Sequence, residues 1–246
     1  MKQFNYDLLE NRKDQLEQDN SGEDRVYHVP KGTYPSITNL LYYMISKPGI
    51  DAWKANIGEE AAKKISGRAS RRGTKVHGIL EKYLRGDENY LKQENGKSEM
   101  QDHKELVLEG VPQINAKIDN IRGIELSMWS DELKVAGTAD LIADYNGELA
   151  VIDWKTAAYV KKEEYILSYI LQGTAYCRML YEMYGLIPKK IVICTFIRFS
   201  DPKKPVPFMN GDKVSDLYVE WKEYSPLDYI RRLKSMCDAF HFSRSK

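Results

Sequence analysis

An α/β or α+β core carrying a helical N-terminal layer is the fold class this sequence predicts, and three observations predict it. Residues from about 34 to 121 read almost wholly as helix. From residue 123 the texture changes to short β-type runs. After those runs helix, strand and helix follow in turn, which asks for a mixed central sheet flanked by helices. The division that follows is a polar N-terminal arm over 1–30, a helical layer over 31–121 and a core over 122–246.

Each element has a local reason. At "TYPSITNLLYYMI", Pro35 and Ser36 suit a helix opening, and apolar residues follow at helical spacing. "GIDAWKANIGEEAAKKISGRAS" and "RRGTKVHGILEKYLR" continue as helices broken at glycines, and "HKELVLEGVPQINAKIDNI" supplies one or two more. "GIELSMWS", "LKVAGTADLIADY" and "ELAVIDWKT" are strands rich in β-branched and aromatic residues. An amphipathic helix spans roughly 161–184. Then come a buried strand "KIVICTFIRF", a Pro-rich loop, a strand "DLYVEW" and a closing helix "PLDYIRRLKSMCDAFHF".

Composition excludes several classes. The 246 residues are 42% hydrophobic and 30% charged, enough to bury a core, and carry a formal charge of only +1. Any face that binds a polyanion is therefore local. No apolar run approaches the roughly 20 residues of a membrane span. The first 25 residues are acid-rich and match neither a secretory nor a transit peptide, so a cytoplasmic setting is expected. Cys177, Cys194 and Cys237 lack metal-binding spacing and read as reduced thiols, against a zinc or iron–sulfur site.

One short stretch carries the chemistry. "DYNGEL" contains Asn146-Gly147, the strongest short-range hairpin signal, because a type I′ turn needs positive φ at both central residues. A two-residue loop there sets Tyr145 opposite Glu148 and Leu141 opposite Ile152. Continued inward, the register sets Asp140 opposite Asp153 and Thr138 opposite Lys155, all on one side. Two carboxylates about 5 Å apart repel by roughly 3 kcal/mol at an effective dielectric near 20. Either a proton is shared or a cation sits between them. Paired oxygens beside a lysine fit a hard divalent ion, Mg2+ or Mn2+. Lys155, charged, cannot ligate the ion but can orient an attacking water.

In order along the chain, "GTAD" (137–140), "IDWK" (152–155) and "LQGTAY" (171–176) resemble the G-x-x-D, D-x-K and Q-x-x-x-Y motifs of the PD-(D/E)xK nuclease superfamily. The likeness is to its RecB-like exonuclease branch, nearest the group of the mitochondrial genome maintenance exonuclease and its phage and bacterial relatives. "YPSIT" at 34–38 resembles that group's opening segment, and the resemblance covers roughly residues 33–240. It implies a PD-(D/E)xK core with Asp140 and Asp153 as metal ligands and Lys155 as catalytic. His77 would be a further ligand or site organiser, and Glu125 the acid one strand upstream that touches a second metal or its water. Gln172 and Tyr176, at i and i+4 on one helix face, would line the site and hold nucleic acid.

The cluster Arg68, Arg71, Arg72 and Lys75 in "GRASRRGTKVH" fits phosphate neutralisation. The function expected is a metal-dependent exonuclease acting on single-stranded DNA ends in replication, recombination or repair. No small-molecule cofactor beyond the metal and no membrane partner is expected. The rivals are a structure-specific or nicking endonuclease using the same residues and a non-catalytic single-strand-binding accessory protein.

Overall fold

The structure, a computed structural model, describes residues 1–22, 24–93, 95–199, 209–210 and 213–244. A small meander comes first: β1 (Glu17–Asp19), β2 (Val26–Val29) and β3 (Gly32–Pro35), paired in that order. Its sequence is polar and its strands three or four residues long, so no alternation announced it. Tyr27 and Tyr34 pack it against Trp129 and Ala136 of the main sheet. The first residues also have fixed partners. The Asp7 and Leu9 amides donate to the Ile121 and Arg122 carbonyls at 2.9 and 2.8 Å, covering a strand edge.

Helices follow: α1 (Ile37–Leu41), capped at Ser36, a π turn over Tyr42–Ser46, α2 (Lys47–Ile57), α3 (Glu59–Leu84) and α4 (Gln101–Lys117). The glycines behave differently from the expectation of helices broken at each. Gly58, at φ 86°, separates α2 from α3, whereas Gly67, Gly73 and Gly78 lie inside one 26-residue helix. The second half of α3 holds it. Val76, Ile79, Leu80, Tyr83 and Leu84 recur at i, i+3, i+4, i+7 and i+8 and are all buried. In the first half only Ala62 is buried.

The core sheet has the order β10-β7-β6-β5-β4. Its strands are β4 (Ile118–Ser130), β5 (Val135–Tyr145), β6 (Glu148–Ala157), β7 (Lys190–Arg198) and β10 (Leu217–Tyr224); β8 (Met209–Asn210) and β9 (Lys213–Val214) form a separate ribbon. β6 and β7 are parallel, joined through α5 (Leu167–Tyr184), and every other neighbour in the sheet is antiparallel. The fold is therefore α/β with a mixed central sheet flanked by helices, as expected. One face packs against α1, α5 and α6 (Ile230–Arg244), the other against α3 and α4. The Pro-rich loop expected after residue 199 falls on residues 200–208, outside the described residues.

Candidate metal centre at the parting of two strands

The hairpin forms with the register expected near its turn. Asn146 and Gly147 take φ 49° and 82°, and the pairs run from Tyr145↔Glu148 to Leu141↔Ile152. There the ladder stops, and the extension of the register to Asp140 opposite Asp153 and Thr138 opposite Lys155 does not hold. β5 stays with β4, where Thr138 pairs with Ser127 and their hydroxyls lie 3.0 Å apart, while β6 stays with β7. The physical reason is a change of face. Ala139 packs in the α5 cluster, but Leu141, two residues on, packs in the α3–α4 cluster. Across the ribbon Leu126 and Ile124 make the same switch. Between them Glu125 takes φ 49°, which a non-glycine residue rarely adopts. Asp140 and Glu125 thus sit where the β4–β5 ribbon turns over.

The opening between β5 and β6 leaves the Trp154 peptide without a strand partner on that side. Side chains take its place. The Trp154 amide donates to Asp140 Oδ2 at 2.8 Å, and its carbonyl lies 2.8 Å from His77 Nε2. His77 Nδ1 lies 3.5 Å from Asp140 Oδ1. Among the described residues, His77, Glu125 and Asp140 each offer a ligand atom, all within 4.8 Å of one another. The Trp154 ring turns to the other face and packs edge-on against Phe196 and Trp221.

The charges in this pocket are out of their ordinary balance. Burial would lower the His77 imidazole, but the Asp140 carboxylate outweighs it and raises it. Burial pushes the Glu125 carboxyl up, and the Asp140 charge pushes it further, to about 7. Burial would raise Asp140 as well, yet the bond to His77 and the His77 charge hold it below the usual carboxylate range. Asp153, 2% exposed, is raised by burial and by Asp140 despite its ion pair with Lys155. Acceptors crowd one imidazole, so the pocket has room electrostatically for more positive charge. Nitrogen and carboxylate donors with no thiolate match a hard or borderline divalent ion.

Lys155 is half-buried and kept as a cation. Desolvation lowers its ammonium, but Asp153 and Asp140 more than restore it. Tyr169, at the start of α5, lies under that ammonium with its ring centroid 4.8 Å away. Its hydroxyl accepts a hydrogen bond from Lys161. Sequence reasoning missed Tyr169; its place three residues before Gln172 on the same helix is the signal that could have found it. Gln172 donates to the Tyr176 hydroxyl at 2.9 Å. Tyr176 is buried against Gly137, where a Cβ would meet its ring at 2.9 Å. That close approach explains the glycine of "GTAD". It also leaves Tyr176 no open ring face, so its contact is with Gln172 rather than a strand.

The basic cluster lies elsewhere on α3. Lys75, two residues from His77, projects about 160° away from it around a helix of 3.6 residues per turn. Arg68, Arg71, Arg72 and Lys75 instead line a cleft of about 710 Å3 that opens toward Ala158, just past β6. No helix among the described residues is long and apolar enough to cross a membrane. Cys177, Cys194 and Cys237 are buried free thiols on three different elements.

Comparison with known proteins gives the family. The human Mitochondrial genome maintenance exonuclease 1 is 26% identical over 136 residues, which is 52% of this chain and 38% of the human protein. Its Xenopus tropicalis counterpart is 27% identical over 137 residues, 53% of this chain and again 38% of the relative. The matched stretch thus spans well under half the length of these relatives. The family model of the PD-(D/E)XK nuclease superfamily matches residues 52–224, a stretch that contains His77, Glu125, Asp140, Asp153, Lys155 and Gln172. The chain belongs to the PD-(D/E)XK nuclease superfamily.

Proposed function

We propose that this protein is a metal-dependent exonuclease that hydrolyses phosphodiester bonds at single-stranded DNA ends. The observation that carries the reading is the convergence of His77, Asp140 and the Trp154 peptide at the parting of β5 and β6, with the Asp153–Lys155 pair beside it. His77, Glu125 and Asp140 are the groups that would hold a divalent ion, with the Trp154 carbonyl and Asp153 beside them. When bound, Mg2+ or Mn2+ polarises a phosphoryl oxygen and eases removal of a proton from water.

The chain's own residues do the rest. Lys155, kept charged by two acids, donates hydrogen bonds to water or to a phosphoryl oxygen rather than acting as a base. Its ammonium would face the negative charge carried by the phosphoryl oxygens in the transition state. Water attacks phosphorus in line and gives up one proton to bulk water, the bond from phosphorus to the leaving oxygen breaks, and that oxygen takes up a proton from bulk water. Tyr169 holds Lys155 from below, and Tyr176 fixes the amide of Gln172. The cationic stripe on α3 meets the phosphates of the strand. The exonuclease mode follows the relatives' names, and the DNA substrate their part in genome maintenance.

The test is digestion of 5′- and 3′-labelled linear and circular single strands with Mg2+ or Mn2+. Linear strands should shorten from an end and circles should survive. Lys155→Ala should cut at least about 100-fold more slowly, the lower end of what a positioned charge or proton-transfer group contributes. Cutting at the wild-type rate by this variant and by Asp153→Ala would remove the catalytic assignment. Linearised circles would turn the reading to an endonuclease.

A further inference from the structure

The cleft behind the basic stripe is more than a charged surface. It lies between the middle of α3 and the start of α4, and Arg68, Arg71, Arg72 and Lys75 form its cationic wall. Ile65 and Met100 give it an apolar lip, 51% and 63% exposed. The one lining carboxylate, Asp102, is already engaged by Arg198 at 2.6 Å. Glu99, buried behind the wall, lies 4.0 Å from the Lys75 ammonium and steadies it at the rim.

Among the described residues, two buried polar atoms of the lining have no hydrogen-bond partner: His103 Nδ1, on a residue only 9% exposed, and Arg72 Nε. A buried polar atom left unpaired costs about 1–3 kcal/mol, so a folded chain keeps one mainly where something else completes it. A bare anion would match the cationic wall, Arg72 Nε included, and leave the apolar lip and His103 Nδ1 unused. A phosphate attached to a flat ring with hydrogen-bonding edges uses all three features. The volume is that of a small-molecule site.

The cleft is also connected to the cutting site. Ala158, three residues past Lys155, lines it, and Gly73 on α3 packs over Thr156, where a Cβ would meet Oγ1 at 3.7 Å. A strand leaving Lys155 along the end of β6 runs into the cleft within about 10 Å, three residues at the strand rise.

We infer that this cleft is a nucleotide subsite of the DNA-binding path, in which Arg71 and Lys75 hold a backbone phosphate while His103 and Arg72 meet the edge of one unpaired base. The inference rests on the nuclease reading and adds to it a position at which the enzyme senses a base, not just charge.

The experiment measures binding by fluorescence anisotropy in chelator, where nothing is cut, with single-stranded oligonucleotides carrying one abasic residue at successive positions. The wild type should lose about three- to tenfold in affinity at one position only, the effect of one or two hydrogen bonds. His103→Leu should show a shallower dip at that position, since Arg72 alone still meets the base. Lys75→Ala and Arg71→Ala, both on exposed residues, should reduce the slope of log affinity against log salt by about 0.7 for a lost phosphate contact. A flat abasic scan in the wild type, or a dip of the same size in His103→Leu, overturns the base contact. Unchanged salt slopes overturn the phosphate contact. A wild type that cuts DNA while giving a flat scan and unchanged slopes loses only this proposal. A wild type that neither binds nor cuts any strand loses the nuclease reading itself.

Discussion

At its turn the β5–β6 hairpin is closed, with Tyr145 opposite Glu148 and every pair in register as far as Leu141 and Ile152. At its other end the same two strands part, each keeping only its outer neighbour. The closed end satisfies its backbone groups by the ladder and has nothing left to offer. The open end frees the Trp154 amide and carbonyl, and Asp140 and His77 occupy them. A register fixed at one end thus delivers acids to the other, and the chemistry sits where pairing has ended. This is why a conventional turn and a buried charge cluster belong to one device.

Breaking the open end should have the largest effect. His77 is the group from the helical layer that reaches both the Trp154 carbonyl and Asp140. His77→Ala should weaken Mn2+ binding by about 10- to 100-fold, the range for loss of a group that holds or orients a ligand. Cutting at limiting metal should fall with it and partly recover at high metal. The fold should survive, because the buried residues of α3 are untouched. Isothermal titration with Mn2+ decides the matter: an unchanged affinity would separate His77 from the metal centre.

Breaking the closed end should do less. Gly147 sits at φ 82°, and nothing within 4 Å would oppose a Cβ there, so Gly147→Ala carries strain without a clash. The left-handed conformation costs an L-residue about 1–2 kcal/mol. At roughly 2–4 °C per kcal/mol for a chain of this size, thermal unfolding should move down by about 2–8 °C. The rate per folded molecule should stay at the wild-type value, since the register near the turn is over-determined by buried pairs. A rate falling tenfold with no change in melting would mean the turn sets the site directly.

The same contrast governs how much the sequence disclosed. The closed end was legible because Asn-Gly has a single local meaning, and counting outward from it led to Asp140 and Asp153. The count failed beyond Leu141 because the turnover at Glu125 depends on how two clusters claim alternate faces, which no local pattern carries. Asp153 appears beside Lys155 rather than within the His77–Glu125–Asp140 group for the same reason. Glu125 itself was reachable only through resemblance, not through spacing. His103 and Tyr169 went unnoticed since each gains its surroundings from distant segments. The β1–β3 meander was hidden by brevity and polarity, and α3 ran through its glycines because its second half is so firmly buried.

The smallest effect concerns the acid at the turnover. Burial and the Asp140 charge hold the Glu125 carboxyl near 7 in the metal-free protein, above the usual carboxylate range. The native state therefore binds a proton that the unfolded chain has already released. Stability owed to that proton is complete below the usual carboxylate range and is lost as pH rises toward and through about 7. Glu125→Gln removes the titration and keeps the shape. In chelator, urea unfolding of the two chains should give similar midpoints near pH 5, and the variant should be the more stable one by pH 8. His77 is also raised, so its stabilisation too is lost with rising pH. It is present in both chains, so the difference between them, rather than either curve, isolates Glu125. Addition of Mn2+ at pH 8 should then narrow the gap, because a cation beside Glu125 rewards the charged carboxylate and not the amide. A gap that stays constant from pH 5 to 8 would place Glu125 outside the electrostatic reach of the strand opening.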